Sequence, residues 1–366
     1  MNGPTSDMQF TDLNDLDALA ALDSEDVLGA VERFAEQCGE AWEIGLAAAD
    51  LPEGEGIDSC VVLGMGGSGV SGDVVRSVIE PRFPFPFLVL KSYGPLPVWV
   101  GRNTLVFAVS YSGSTEETVA AASEAHDRGA RLVLVSSGGP LAEMASSFDA
   151  AHVAIPGGLQ PRASLGYLTL PILGVMHTIG LVEDFGLDVD EAVQVLQDLG
   201  RRCHRTREVS ENPAKDLARR LQGKIPIIYG GHGLTAAAAM RFKCDLNEYG
   251  KSPAFWNAFP ELNHNEIVGW TGLRDVTARH AAIVLLRDAE EHPRISLRFE
   301  ITRELIEEAA SEVVEIRSEG TSDLARILSL VLVTQLAAIY VGLAHGVDPG
   351  PVHVIEKLKA RLAERR

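Results

Sequence analysis

CVVLGMGGSG at residues 60–69 and LVFAVSYSGSTEET at residues 105–118 each place a short, wholly apolar run before a Gly- and Ser-rich turn and an amphipathic stretch. Apolar runs without alternation read as strands covered on both faces, the habit of parallel sheets. Similar runs at 87–90, 132–135 and 152–155 lie far enough apart for crossover helices. The first half of the chain is therefore expected to be α/β, a parallel, doubly wound sheet. The second half opens in the same way, with a strand at 226–229, then Gly230-Gly231-His232-Gly233 and an alanine-rich helix. Further strands are expected at 281–286 and 313–316, and helices at 295–310 and 322–344. One fold used twice is the reading, although no repeat is visible by identity.

Working outward, residues 1–56 form an expected N-terminal helical arm, with apolar spacing through Val27, Val31, Phe34 and Ala35 and a second stretch at 42–49. The first domain is expected over 57–183, a polar helical connector over 184–222, and a second domain with a C-terminal helix over 223–366. A length of 366 residues suits two domains. The run 327–344 approaches the length of a membrane span, but Ser329, Thr334 and Gln335 interrupt it and no second candidate exists. A helix buried between domains or subunits is expected there.

The hydrophobic fraction of 46% suits a large core, and 51 acidic against 32 basic residues give a net charge of -19. That charge argues against nucleic acid and anionic membranes as partners, so an anionic ligand must be held by local donors. Cys38, Cys60, Cys203 and Cys244 show neither disulfide nor zinc spacing. No metal-ligand constellation such as HExxH is visible, and no cofactor is expected. The acidic start, with Asp7, Asp12, Asp15 and Asp17, lacks the pattern of a signal peptide, and a reducing cytoplasm is the expected location.

The two glycine- and serine-rich turns are the candidate ligand site. Gly66, Gly67 and Ser68 follow one strand at a helix start, where backbone amides approach an anion closely. Ser110, Ser112, Ser114 and Thr115 surround Gly113 at a second helix start and offer a neutral donor cup for a phosphate monoester. Ordinary capping by Ser and Thr accounts for one or two of these hydroxyls and leaves the others unexplained. The turns lack the Gly-Lys-Ser/Thr ending of a nucleotide P-loop, and Lys91-Ser92-Tyr93 stands where a dinucleotide site needs a ribose-binding acid.

GMGGSG at 64–69 and SYSGSTEET at 110–118 resemble the phosphate-binding loops of the sugar isomerase (SIS) domain, and Ser136-Ser137-Gly138-Gly139 suits the same rim. GLQPRASLGY at 158–167, NEYGKSPAF at 247–255, PELNHNEIVGW at 260–270 and DPGPVHVIEKLK at 348–359 extend the likeness. Over nearly its whole length the chain resembles the bifunctional phosphoglucose/phosphomannose isomerases, an SIS family. The resemblance implies two SIS (doubly wound, flavodoxin-like) domains and an aldose-ketose isomerase that works through an enediolate without a metal. Its substrates would be glucose 6-phosphate or mannose 6-phosphate, each exchanged with fructose 6-phosphate.

By motif, the resemblance makes Glu248 the base that moves a proton between C1 and C2, and Arg162 the stabiliser of the enediolate. His264 would assist ring opening from a neighbouring subunit, which implies a homodimer with a shared active site. Lys359, or Lys357 beside it, would join in ring opening, and Gly66, Gly67, Ser68, Ser110, Ser112 and Thr115 would hold the phosphate. Ser114 stands where family members often carry Asn, a small polar exchange. Two alternatives stay open: a non-catalytic phosphosugar sensor, which would keep the serine cups without needing Glu248, His264 and Arg162 together, and a glutamine-using aminosugar enzyme. The latter would want an N-terminal nucleophilic cysteine, and none is present.

Overall fold

The computed structural model of the chain describes residues 10–365, so the first nine residues of the expected arm, Asp7 among them, lie outside the described residues. The arm consists of α1 (Leu16–Leu22), α2 (Val27–Glu32) and α3 (Phe34–Leu46). The apolar spacing at 27–35 crosses a break at Arg33, and Asp26 accepts from the Gly29 amide to start α2.

The first sheet comprises β1 (Ser59–Leu63), β2 (Phe87–Leu90), β3 (Thr104–Val109), β4 (Arg131–Ser136) and β5 (Ala151–Ala154), all parallel in the order β2-β1-β3-β4-β5. Its crossovers and flanking helices are α4 (Gly66–Ile79), α5 (Glu116–Asp127), α6 (Gly139–Phe148) and α7 (Leu165–Thr178). The strands are apolar throughout because both faces are covered: Cys60, Val62, Leu105, Phe107, Val133 and Val135 enter one core. Their neighbours Val61, Leu63, Val106, Ala108, Leu132 and Leu134 enter a second core beneath α5 and α6. This period-two split is what a strand imposes on alternate side chains.

The expected connector folds as α8 (Gly186–Cys203) and α9 (Pro213–Leu221). It is no free linker, since Val189, Ala192, Leu196, Leu199 and Cys203 bury one face of α8 while its charged residues face outward. The second half follows with β6 (Ile225–Gly231), α10 (Leu234–Glu248), β7 (Phe255–Phe259), α11 (Glu266–Gly269), α12 (Arg274–His280), β8 (Ala281–Arg287), α13 (Pro293–Ile306), β9 (Glu312–Arg317), α14 (Asp323–Ala344) and α15 (His353–Ala363). Its four parallel strands take the order β7-β6-β8-β9. Both sheets thus share one winding pattern, with the second strand outside the first and later strands on the other side.

The strand β7 was not expected. It is an edge strand with Phe255 and Trp256 exposed, so it carries neither an alternating nor a continuously buried pattern. Helix α14 is long and apolar enough to cross a membrane, yet every residue from Leu324 to Ala344 is buried inside the protein. It packs on α8, α9 and α10, and its side chains share one continuous core with both sheets. The two halves are therefore fused through a common helical layer.

Candidate active site

In a doubly wound sheet a crevice opens where neighbouring strands send their connections to opposite sides, here between the carboxyl ends of β1 and β3. The two Gly- and Ser-rich turns leave the sheet at these ends and meet there: the Tyr111 amide lies 3.4 Å from the Ser68 hydroxyl. Ser68 and Ser110 are buried, whereas Ser112 is exposed and Thr115 is half-buried. Ser110 and Thr115 share a hydrogen bond of 2.8 Å, and Ser112 and Ser114 one of 2.9 Å.

Neither α4 nor α5 receives a hydrogen bond from its N-cap side chain, Met65 in one case and Thr115 in the other. The first amides of a helix have no intrahelical acceptor, so two uncapped N-termini converging on one crevice form an anion site. Simple capping by Ser and Thr does not describe this loop. The Tyr111 ring braces it from behind: its hydroxyl donates to Pro156 O at 3.0 Å and accepts from the Leu159 amide at 2.8 Å.

Gly113 has φ of +67°, and a Cβ there would fall 1.8 Å from Gly138 O. Gly113→Ala must push its turn away from the turn at residues 136–139, and left-handed strain alone costs about 1–3 kcal/mol. We expect phosphosugar binding to weaken about tenfold or more, a change that 1.4 kcal/mol already produces, measured by calorimetric titration.

The turn carrying Arg162 sits directly against the first loop. A Cβ on Gly67 would lie 3.1 Å from Pro161 O and 3.7 Å from Arg162 Cα. Arg162 is only 5% exposed, and its Nη1 stands 3.7 Å from Glu248 Oε2 at the end of α10. Its Nη2 donates to the carbonyls of Pro349 and Gly350, and the guanidinium lies 4.9 Å from the centre of the Tyr249 ring. Its Nε is buried with no hydrogen-bond partner among the described residues. A buried donor without a partner is costly, so a polar partner is expected on this side of the crevice.

What holds Arg162 in place was not singled out in the sequence. Its carbonyl accepts from Arg241 and, at 2.9 Å, from Gln335 Nε2, which also reaches Tyr249 Oη at 3.2 Å. Arg241 pairs with Asp245 one turn on at 2.8 Å, and both side chains are buried. Burial pushes the Asp245 carboxyl up, and Arg241 pulls it back. The available signal was an Arg and an Asp four residues apart on an otherwise alanine-rich, apolar helix.

The structure thus brings together Gly66, Gly67, Ser68, Ser110, Ser112, Thr115, Arg162 and Glu248. Among the described residues no hydrogen bond or ion pair joins His264 or Lys359 to them. His264 is exposed at the end of a 3-10 turn, Glu261–His264, with no partner among the described residues. Its neighbours are firmly held: Asn263 accepts from Arg298 at 3.0 Å and donates to Thr302 at 2.8 Å. Glu266 accepts from Tyr229 and Asn257, both at 2.5 Å. Lys357 and Lys359 lie on α15, where every described residue is exposed. Among the described residues no three His, Cys, Asp or Glu side chains converge as metal ligands.

The corresponding crevice of the second sheet is filled. Ile295 Cγ2 comes within 3.0 Å of where a side chain on Gly231 would begin, and Phe299 follows behind it. Arg287, at the end of β8, is buried and paired with Glu291 and, at 3.2 Å, with Glu315.

Known proteins resemble this chain in sequence and in fold. A family model described as the bacterial phospho-glucose isomerase C-terminal SIS domain matches residues 210–362. The chain is 40% identical to the bifunctional phosphoglucose/phosphomannose isomerase of Caldicellulosiruptor bescii over 335 residues, covering 92% of this chain and 98% of the relative. It is 36% identical to the protein of the same name from Aquifex aeolicus, again over 92% of this chain and 98% of the relative. In fold it is similar to the crystal structure of a glucose-6-phosphate isomerase like protein from Thermus thermophilus, with TM-score 0.60, 21% identity and coverage of 95% and 98% of the two chains.

Proposed function

The chain belongs to the bifunctional phosphoglucose/phosphomannose isomerase family, and on that premise we propose that it interconverts glucose 6-phosphate and mannose 6-phosphate with fructose 6-phosphate through an enediolate. The observation that carries this reading is the junction of the two halves. Arg162, buried with an unpaired Nε, stands between Gly67 of the phosphate loop and the carboxylate of Glu248.

The 6-phosphate sits in the cup of Gly66, Gly67, Ser68, Ser110, Ser112 and Thr115, held by helix amides and hydroxyls despite the net charge of -19. The far end of the open-chain sugar then lies towards Arg162 and Glu248. Glu248 takes the proton from one of C1 and C2 and returns it to the other, while Arg162 and a donor on the sugar's other side hold the oxyanion. The two aldoses differ only at C2 and give the same enediol, so rotation about C2–C3 lets one carboxylate serve both.

Ring opening needs an acid and a base at the ring oxygen and O1, and His264 and Lys359 are the proposed groups. Because His264 is exposed and makes no hydrogen bond or ion pair with Glu248, a second copy is the proposed source of it, making the active unit a homodimer. The proposed substrate class and reducing location are those of a cytoplasmic enzyme. Purified protein incubated with fructose 6-phosphate in EDTA is expected to form both aldose phosphates, assayed separately with specific dehydrogenases. Formation of neither would leave a phosphosugar-binding role in place of catalysis.

A further inference from the structure

Glu248 presents a puzzle of position. Its carboxylate makes no hydrogen bond to a described residue, and the 3.7 Å to Arg162 Nη1 is too long to clamp it. A proton shuttle between two adjacent carbons tolerates little drift, since misplacement by about 1 Å lowers rate on the order of 100-fold. The side chain's place must therefore be set through its backbone.

That backbone is gripped by Lys251. Its ammonium donates to Glu248 O at 2.5 Å, to Pro351 O at 2.6 Å and to Pro349 O at 3.1 Å. All three protons of the ammonium are thus engaged on main-chain carbonyls, and none on a carboxylate. A lysine near a helix end commonly caps the last carbonyls of its own helix. Here two of the three acceptors lie 98 and 100 residues further on, in the segment that launches α15.

Two further observations converge on the same place. Lys251 adopts φ of +47°, a left-handed conformation that disfavours any residue with a Cβ. Such strain persists only where surrounding structure enforces it, and it clusters at functional sites. Independently, Arg162 donates to the carbonyls of Pro349 and Gly350, so the two cations beside Glu248 hold one run of carbonyls. The run is stiff, with Pro349 and Pro351 on either side of Gly350. A cavity of about 640 Å³ opens beside it, with Glu248, Lys251 and Pro253 on one wall and Pro351, Val352 and Ile355 on the other. Lys251 joins the two walls.

We propose that Lys251 is a positioning residue for the isomerisation: it ties the end of α10 to the 349–351 segment and so fixes the Glu248 carboxylate against Arg162 and the substrate carbons. The inference rests on the isomerase reading. Lys251 touches neither phosphate loop, so its removal acts on the chemical step and leaves phosphosugar binding intact.

The test is Lys251→Met, which keeps the stem and removes the donors, assayed beside wild type with fructose 6-phosphate and both aldose phosphates. Wild-type turnover establishes the isomerase reading first; its absence sinks that reading, and the inference with it. With wild type active, Lys251→Met is expected to lower kcat roughly 10- to 100-fold with KM changed less than about threefold. Cleavage after residue 349 by limited proteolysis should accelerate in parallel, and Lys251→Arg should recover part of kcat. A kcat equal to wild type, with or without faster cleavage, reduces Lys251 to a helix cap. A KM that rises as far as kcat falls makes it a substrate-binding group instead. If Lys251→Met does not fold, Lys251→Gln is read by the same criteria.

Discussion

Glu248→Gln is expected to lower kcat on the order of 100- to 10,000-fold for both aldose phosphates, the range a general base contributes. The amide has the same shape as the carboxylate but cannot accept the substrate's proton. The phosphate cup lies on β1 and β3, elements remote in sequence from the end of α10, so calorimetric affinity for fructose 6-phosphate should stay within a fewfold of wild type. Solvent-derived hydrogen should also cease to appear at C2 of the product. Activity near wild type would mean that another group moves the proton and that Glu248 only balances Arg162.

Arg241→Met is expected to produce the largest loss of stability. Arg241 and Asp245 are both buried, and removing one partner leaves an uncompensated charge that costs about 3–5 kcal/mol. The variant's penalty carries a pH signature. Without Arg241 only Arg162 is left to offset the burial that already pushes Asp245 up from 3.8, so the folded state holds its proton while the unfolded state releases it. A pKa raised on folding favours the native state at low pH and penalises it as pH rises. Because burial already lifts Asp245 to about 7 in the wild type, the two urea midpoints should run parallel between about pH 4 and 7, and that of the variant should fall further below wild type as pH rises above about 7. Arg241→Met/Asp245→Leu should recover much of the loss, because a matched apolar pair needs no compensation. Equal midpoints for wild type and the single variant would show that the pair is solvated in solution. Arg241 also donates to the carbonyl of Arg162, so the single variant should lose activity as well as stability.

Much of the architecture was legible because it rests on local pattern. Continuous apolar runs at β1, β3, β4 and β8 announce strands covered on both faces, and the Gly- and Ser-rich turns announce where anions can approach. Edge strand β7 was not legible, since Phe255 and Trp256 are exposed and follow neither strand pattern. The shared core was hidden too. Composition shows that α14 is apolar, but not that α8, α9 and α10 surround it and join the halves.

The phosphate loops that decide the fold were readable by themselves, because glycine freedom, hydroxyl donors and helix starts are properties of a few consecutive residues. Motif likeness named Glu248, Arg162 and His264 as well. Only the tertiary structure sets Arg162 against Gly67 and Glu248, leaves its buried Nε unpaired, and fills the second crevice with Ile295 and Phe299. The same holds for Lys251, whose acceptors lie at the end of α10 and on the 349–351 segment, 98 and 100 residues further on. Distances between residues remote in sequence depend on how α4, α7, α10 and α14 pack together, and packing is a property of all those faces at once.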